Sequence, residues 1–325
     1  MRRLFALALV SSLAACGGSS SSSDVDAAGG SGSGSPDAAI TASNGFSVVT
    51  PDITIMPGQE ITYCYYFHTA NTSDVVVKNW QSTLAEGSHH LILYFQKSNS
   101  QPDGTLDPSG NCGGASGTDV SVWTYSSSQA TQQTALPADD GNGKPVGMLV
   151  PAGQAAVMQL HYINSTEQPI IAHASVLANG YAPGTAYTAA AAYVSYNNDI
   201  HIKPNSAATV SATCTTPPGA KFFTMSTHSH KQMTKDTVSD STGVFLTTTD
   251  WEHPTIMSWT DAPFYAFSGN SFTYSCEYQS MSSQPIDSGP SAATNEMCMA
   301  VGYFFPATAP QICFTTGGRT FVFAN

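Results

Sequence analysis

The sequence predicts an all-β protein. Three observations carry that expectation: apolar residues recur with period two in short runs, the runs are rich in β-branched and aromatic residues, and Gly, Pro, Asn and Asp punctuate them. No apolar stripe of helical period extends beyond about two turns. Period-two alternation leaves one face of each segment apolar, and two such faces bury each other, so antiparallel sandwiches are the expected architecture.

In chain order, the expected strands of the first half are DVVVKNW (74–80), HHLILYF (89–95), AAVMQLHYI (155–163) and IIAHASVLANGY (170–181). Residues 96–145, rich in Ser, Gly, Asp and Gln, read as long loops around one or two strands. The segment YAPGTAYTAAAA (181–192) breaks the strand rhythm and suggests a boundary between residues 184 and 190. Beyond it follow AAYVSY (191–196), ATVSATC (208–214), KFFTMSTH (221–228), GVFLTTTDW (243–251), SFTYSCEY (271–278) and CMAVGYFFP (298–306). We therefore expect two folded bodies, 45–187 and 188–325, each large enough to bury its own core.

The start of the chain carries a different message. Arg2 and Arg3 precede an apolar run from Leu4 to Ala15 that is too short to span a bilayer, and the run ends in Leu13-Ala14-Ala15-Cys16. This resembles a bacterial lipoprotein signal, which implies that residues 1–15 are removed and that Cys16 is lipidated. Residues 16–44, dominated by Gly and Ser, cannot bury enough apolar surface to fold and are expected to be a flexible tether. The expected location is extracytoplasmic, on a bacterial outer membrane or in the periplasm, with membrane contact only through the lipid.

Charged residues make up only 10% of the chain, and the formal charge of −12 becomes −14 without Arg2 and Arg3. No basic patch is present, so nucleic acid is excluded as a partner class. With Cys16 set aside, Cys64, Cys112, Cys214, Cys276, Cys298 and Cys313 are an even set in an oxidising compartment and suggest up to three disulfides, whose pairing the sequence leaves open. None has C-x-x-C spacing, which argues against a thiolate metal site. A monomer is expected. There is no Ser-His-Asp constellation, P-loop or GxGxxG.

Histidine supplies the candidate chemistry. His228 and His230 stand two apart in THSH, so in a strand both imidazoles share a face. His89 and His90 are adjacent, and both reach one metal only where the chain is irregular; the Gly87-Ser88 approach permits that. His161 shares a strand face with Gln159. Neutral imidazole suits copper or zinc, and a thioether favours copper. Met225 and Met233 lie at odd offsets from the THSH pair and would face away, whereas Met297, in TNEMC, comes from another part of the chain.

In this order and at these separations, HH, QLHY, HxH and EMC resemble the copper type II, ascorbate-dependent monooxygenases, the relatives of peptidylglycine alpha-hydroxylating monooxygenase and dopamine beta-monooxygenase. The resemblance extends from about Phe46 to the end of the chain. It implies two jelly-roll-like antiparallel sandwiches facing each other across a solvent-filled cleft, and two copper ions. His89, His90 and His161 would hold the copper that handles electrons. His228, His230 and Met297 would hold the copper at which O2 and substrate react, with Gln159 between the centres. It further implies pairing of Cys64 with Cys112, Cys214 with Cys313, and Cys276 with Cys298. The implied activity is hydroxylation of a C–H bond with O2 and a one-electron reductant such as ascorbate.

One departure bears on substrate. Where peptide hydroxylases of that family grip a carboxylate, this chain has Ser226, Met299 and Val301, so C-terminal glycine peptides are not the expected substrate. The alternative expectation is a lipoprotein that holds copper for storage, delivery or tolerance without turnover. His68, His173 and His201 are expected at the surface, and His253, in WEHP, fits the family pattern without implying a ligand.

Overall fold

The computed structural model describes residues 44–110, 112 and 121–324, which fall in one compact unit. The expected signal (1–15), the expected lipidation site Cys16 and all but the last residue of the expected tether (16–44) lie outside the described residues. Among the described residues the only helical segment is a short 3-10 turn at Ser268–Asn270; everything else regular is strand. No described helix is long and apolar enough to cross a membrane.

The first half builds two main sheets. One is five-stranded, ordered Leu106–Asp107, Glu60–His68, Ala155–Ile163, Ser88–Phe95 and Val122–Ser127. The other is six-stranded: Gly45–Val49, Ala174–Gly180, Val75–Leu84, Val146–Val150 and Thr188–Ala189 in order, with Thr131–Ala135 also pairing onto Val75–Leu84. Among its described residues the loop-rich stretch 96–145 thus holds two strands of five or more residues and one of two.

The second half repeats the plan. Its six-stranded sheet runs Ile256–Ser258, Lys221–Ser229, Cys298–Phe305, Ala191–Asn197, Gln311–Thr316 and Arg319–Ala324, and its four-stranded sheet runs Ala207–Thr215, Ser271–Gln279, Met233–Asp240 and Gly243–Thr248. Thr188–Ala189 still pairs in the first half's sheet, and Ala191–Asn197 already lies at the centre of the second half's.

Period-two patterning explains what each strand buries. Along Ser271–Gln279, Phe272, Tyr274, Cys276 and Tyr278 alternate into the interior while their neighbours are partly exposed. Full burial of a side chain such as Phe272 contributes about 1.5–3 kcal/mol of hydrophobic stabilisation. Trp80 stacks on Tyr125 at 5.5 Å between the sheets of the first half. The first core does not stop at the midpoint of the chain, because Val194, Phe223, Met299, Tyr303 and Phe305 pack into it. The five-stranded sheet is therefore packed against the second half's six-stranded sheet.

Three disulfides join Cys64 to Cys112, Cys214 to Cys313 and Cys276 to Cys298, the pairing that the resemblance implies. Cys214–Cys313 and Cys276–Cys298 each tie the four-stranded to the six-stranded sheet of the second half.

Candidate metal centre

The five-stranded sheet presents three histidines at one end. His161 on Ala155–Ile163 is the direct cross-strand partner of His90. In the next step of the ladder Tyr162 pairs with Ser88, so His89 is the extra residue of a β-bulge. A bulge breaks the up-down alternation, which is how two consecutive histidines turn their rings into the same region. The irregularity expected where the chain meets this strand is that bulge. Gly87 makes the approach possible: its φ is +79°, and a Cβ there would lie 2.3 Å from Ile170 Cδ1.

The second half brings the other group. His228 lies on Lys221–Ser229 opposite Met299, and His230 follows just beyond the strand end. Met297 immediately precedes Cys298–Phe305, so it borders that strand without being part of it. Its neighbour Cys298 is fixed by the bond to Cys276. Met225 and Met233 are buried in the second core, away from this face.

The two histidine groups, expected on opposite sides of a cleft, adjoin one another. The His89 ring centroid is 5.1 Å from those of His90, His161 and His228 and 5.7 Å from that of His230. His90 and His228 are 5.0 Å apart, and His228 and His230 5.4 Å. Ligand atoms of His89, His90 and His228 lie within 4.8 Å of one another, so the trio best placed for a single ion draws on both halves. Packing of the first core across the midpoint is what closes the gap.

Hydrogen bonds determine which ring nitrogens keep a lone pair. His161 Nε2–H donates to Glu60 Oε1 at 2.9 Å; a carboxylate only accepts, so the neutral ring keeps its lone pair on Nδ1. His230 Nδ1–H donates to the Asn295 carbonyl at 3.1 Å, which leaves the lone pair on Nε2. With the amide oxygen of Gln159 toward His90 Nε2 at 3.2 Å, the His90 lone pair is on Nδ1.

His90 Nδ1, His228 Nε2, His230 Nε2 and both nitrogens of His89 are buried without a partner among the described residues. Buried polar atoms are seldom left so, and this density of orphaned imidazole nitrogens fits metal ligation. Burial, reinforced by the neighbouring rings, holds His89, His90 and His228 well below the usual histidine range. Burial also takes His230 down to about 4. At neutral pH these imidazoles are uncharged, the form that binds a metal.

A supporting layer surrounds the rings. Burial alone would raise the Glu60 carboxyl, but hydrogen bonds from His161, Ser291 and Ala292 outweigh it and hold the group at about 2. The Glu296 carboxylate accepts from His230 N–H at 2.9 Å and Gln232 N–H at 2.7 Å, while burial pushes it up to about 7. The Tyr278 hydroxyl donates to the Met297 carbonyl at 2.8 Å, and the Trp251 ring packs 5.2 Å from His89. Glu60, Trp251 and Tyr278 carry no sequence signal, because each acts on residues distant in the chain. Glu296 sits beside Met297 in the EMC motif, and that adjacency is the signal that could have singled it out.

A cavity of about 440 Å³ opens beside the cluster and is lined by His90, Gln159, His228 and Met297. Ser226, Met299 and Val301 also line it, and the Ser226 hydroxyl is engaged by the Thr255 carbonyl at 2.9 Å. His68, His173, His201 and His253 are outside this region; each is substantially exposed and paired with an aspartate.

No curated protein matches the chain. Among solved structures it is similar to the STIV MCP at TM-score 0.28 and 10% identity, over 81% of this chain and 94% of that one. It is also similar to a BuGH86 variant in complex with neoagarooctaose at TM-score 0.18 and 5% identity, over 78% of this chain and 33% of that one. Residues 187–325 match the family model of the copper type II ascorbate-dependent monooxygenase C-terminal domain. These residues carry His228, His230 and Met297, so the second half of the chain is similar to that C-terminal domain.

Proposed function

We propose that this protein is a copper-dependent monooxygenase that hydroxylates a C–H bond of a small organic or peptide-like substrate. The observation that carries the reading is the group of five histidines with unpartnered or lone-pair-bearing ring nitrogens, two of them within the family-matched residues. The net reaction consumes O2, two electrons and two protons, inserts one oxygen atom into the C–H bond and releases the other as water. Ascorbate or another one-electron donor supplies the electrons.

His89, His90 and His161 would hold one copper, and His228, His230 and Met297 the other. Bound copper supplies the redox chemistry that O2 activation requires. The protein's own residues orient and insulate. Glu60, Gln159 and Asn295 fix the tautomers of His161, His90 and His230. Glu296 ties the segment before Met297 to the turn after THSH, and Tyr278 holds the Met297 carbonyl from the strand Ser271–Gln279. Trp251 covers His89, and the cavity beside His228 and Met297 gives a substrate access to the second group. Three disulfides accord with an extracytoplasmic location, with Cys16 as the lipid anchor.

The convergence of His89, His90 and His228 favours a second reading, in which copper is held for storage or delivery without turnover. Metal analysis and oxygen consumption separate the two. The copper-loaded protein is expected to hold two copper ions and, with ascorbate, to transfer labelled oxygen from O2 into an organic product. Oxygen uptake that never yields a labelled product across amides, phenethylamines and apolar compounds would favour storage, and a single zinc in place of copper would sink both readings.

A further inference from the structure

We propose that the cavity beside His90, His228 and Met297 takes an uncharged, predominantly apolar ring compound as substrate. The inference rests on the monooxygenase reading and adds the chemical class of the molecule oxidised.

The cavity wall follows from strand alternation. Thr224, Ser226 and His228 sit at every second position of Lys221–Ser229, and their cross-strand partners are Tyr303, Val301 and Met299. All six line the cavity, so the face that presents His228 is the face that presents the wall. The next two strands continue it: Val194 pairs with Val301 and Ile312, and Tyr196 with Met299 and Phe314. Across the cavity stand Ile92, Tyr94 and Trp123, the last two in edge-to-face contact at 5.6 Å. Aromatic faces and edges of this kind favour rings.

What the wall lacks decides the charge. None of the described lining residues is Asp, Glu, Lys or Arg. Ser226, Met299 and Val301, which line the cavity beside His228, bring no charge to it, and the Ser226 hydroxyl is already turned to the Thr255 carbonyl. A charged group entering here would lose its hydration without gaining a counter-ion among the described side chains of the wall, and an anion would also face a protein of net charge −12. Burial keeps Tyr94 and Tyr303 un-ionised, so the two phenols add polarity but no charge. The volume of about 440 Å³ is within the range of small-molecule sites and suits one- to three-ring molecules.

Binding to the full chain is measured with two fluorescent probes of nearly equal shape, the neutral N-phenyl-1-naphthylamine and the anionic 8-anilino-1-naphthalenesulfonate. The neutral probe is expected to saturate at one per chain, with the sulfonate at least tenfold weaker. Ser226→Arg and Val301→Lys, each confirmed as folded by circular dichroism, are expected to narrow or invert that ratio. Equal or tighter binding of the sulfonate by the unaltered protein, or no saturable binding of the neutral probe, overturns the inference. In parallel, the copper-loaded protein with ascorbate is offered indane and indane-2-carboxylate. Oxygen entering only the carboxylate overturns the substrate class and leaves the monooxygenase reading standing. Neutral-probe selectivity with no oxidation of either compound sustains the preference of the cavity and counts against the monooxygenase reading.

Discussion

His161 and Glu60 are joined by a 2.9 Å hydrogen bond, and the same carboxylate accepts from the Ser291 hydroxyl at 2.9 Å and the backbone N–H groups of Ala292 at 2.6 Å and Ala293 at 3.2 Å. One side chain of the first half therefore sets the orientation of a histidine in its own sheet and anchors the segment that leads to Met297 in the second.

Glu60→Ala should weaken copper binding at the three-histidine group by about 10- to 100-fold, the usual effect of removing a carboxylate that orients a ligating histidine. Glu60→Gln should recover part of that loss, since the amide oxygen still accepts from His161. Competitive copper titration, with the spectrum of bound Cu(II) recorded in parallel, checks both. Unchanged affinity in the alanine variant would show the contact to be passive.

His161→Ala and His228→Ala should each reduce the bound copper from two ions to one. The readout is metal content after gel filtration of the copper-loaded protein. Complete loss of copper in either variant would mean that the adjoining rings act as one site, as the proximity of His89, His90 and His228 permits.

The Cys276–Cys298 bond closes a loop with a sequence separation of 22 and pins the strand next to Met297. Replacing both cysteines by serine should cost about 3 kcal/mol of stability in the chain-entropy description. Copper affinity at the group containing Met297 should fall in the same variant. Denaturant unfolding measures the first effect and copper titration the second.

Asp236 is fully buried, and burial pushes its carboxyl up to about 7, against the hydrogen bond from the Ser229 hydroxyl. The folded state thus holds a proton that the unfolded state releases near 4. This contribution is fully present below that unfolded value and is lost as pH rises through about 7, an effect of at most roughly 4 kcal/mol. Asp236→Asn should flatten the stability profile between about pH 4 and 7 relative to the unaltered chain, as measured by urea unfolding across that window.

The sequence by itself determined the strand class, because period-two alternation is a local property. SFTYSCEY alternates in the chain as Phe272, Tyr274, Cys276 and Tyr278 alternate into the core. It also offered the chemically distinctive residues, since paired histidines and a methionine beside a cysteine stand out in a chain with few charges. The bulge at His89 was foreshadowed by Gly87, whose position before the pair is the local mark of an irregular approach.

Only the tertiary structure decided how these pieces meet. Nothing in the chain around Glu60 marks it as the partner of residues 161 and 291–293, because a carboxylate after a turn is common and its hydrogen bonds span more than a hundred positions. Nor could the alternation reveal that the first core would draw in Phe223, Tyr303 and Phe305 from the second half and bring His89 against His228. Alternation specifies which face of a strand is apolar, whereas the identity of the opposing face is chosen by burial summed over both sheets. The uncharged cavity wall arises in the same way: Ser226, Val301 and Tyr303 are unremarkable in sequence and become a single surface only when their strands lie side by side.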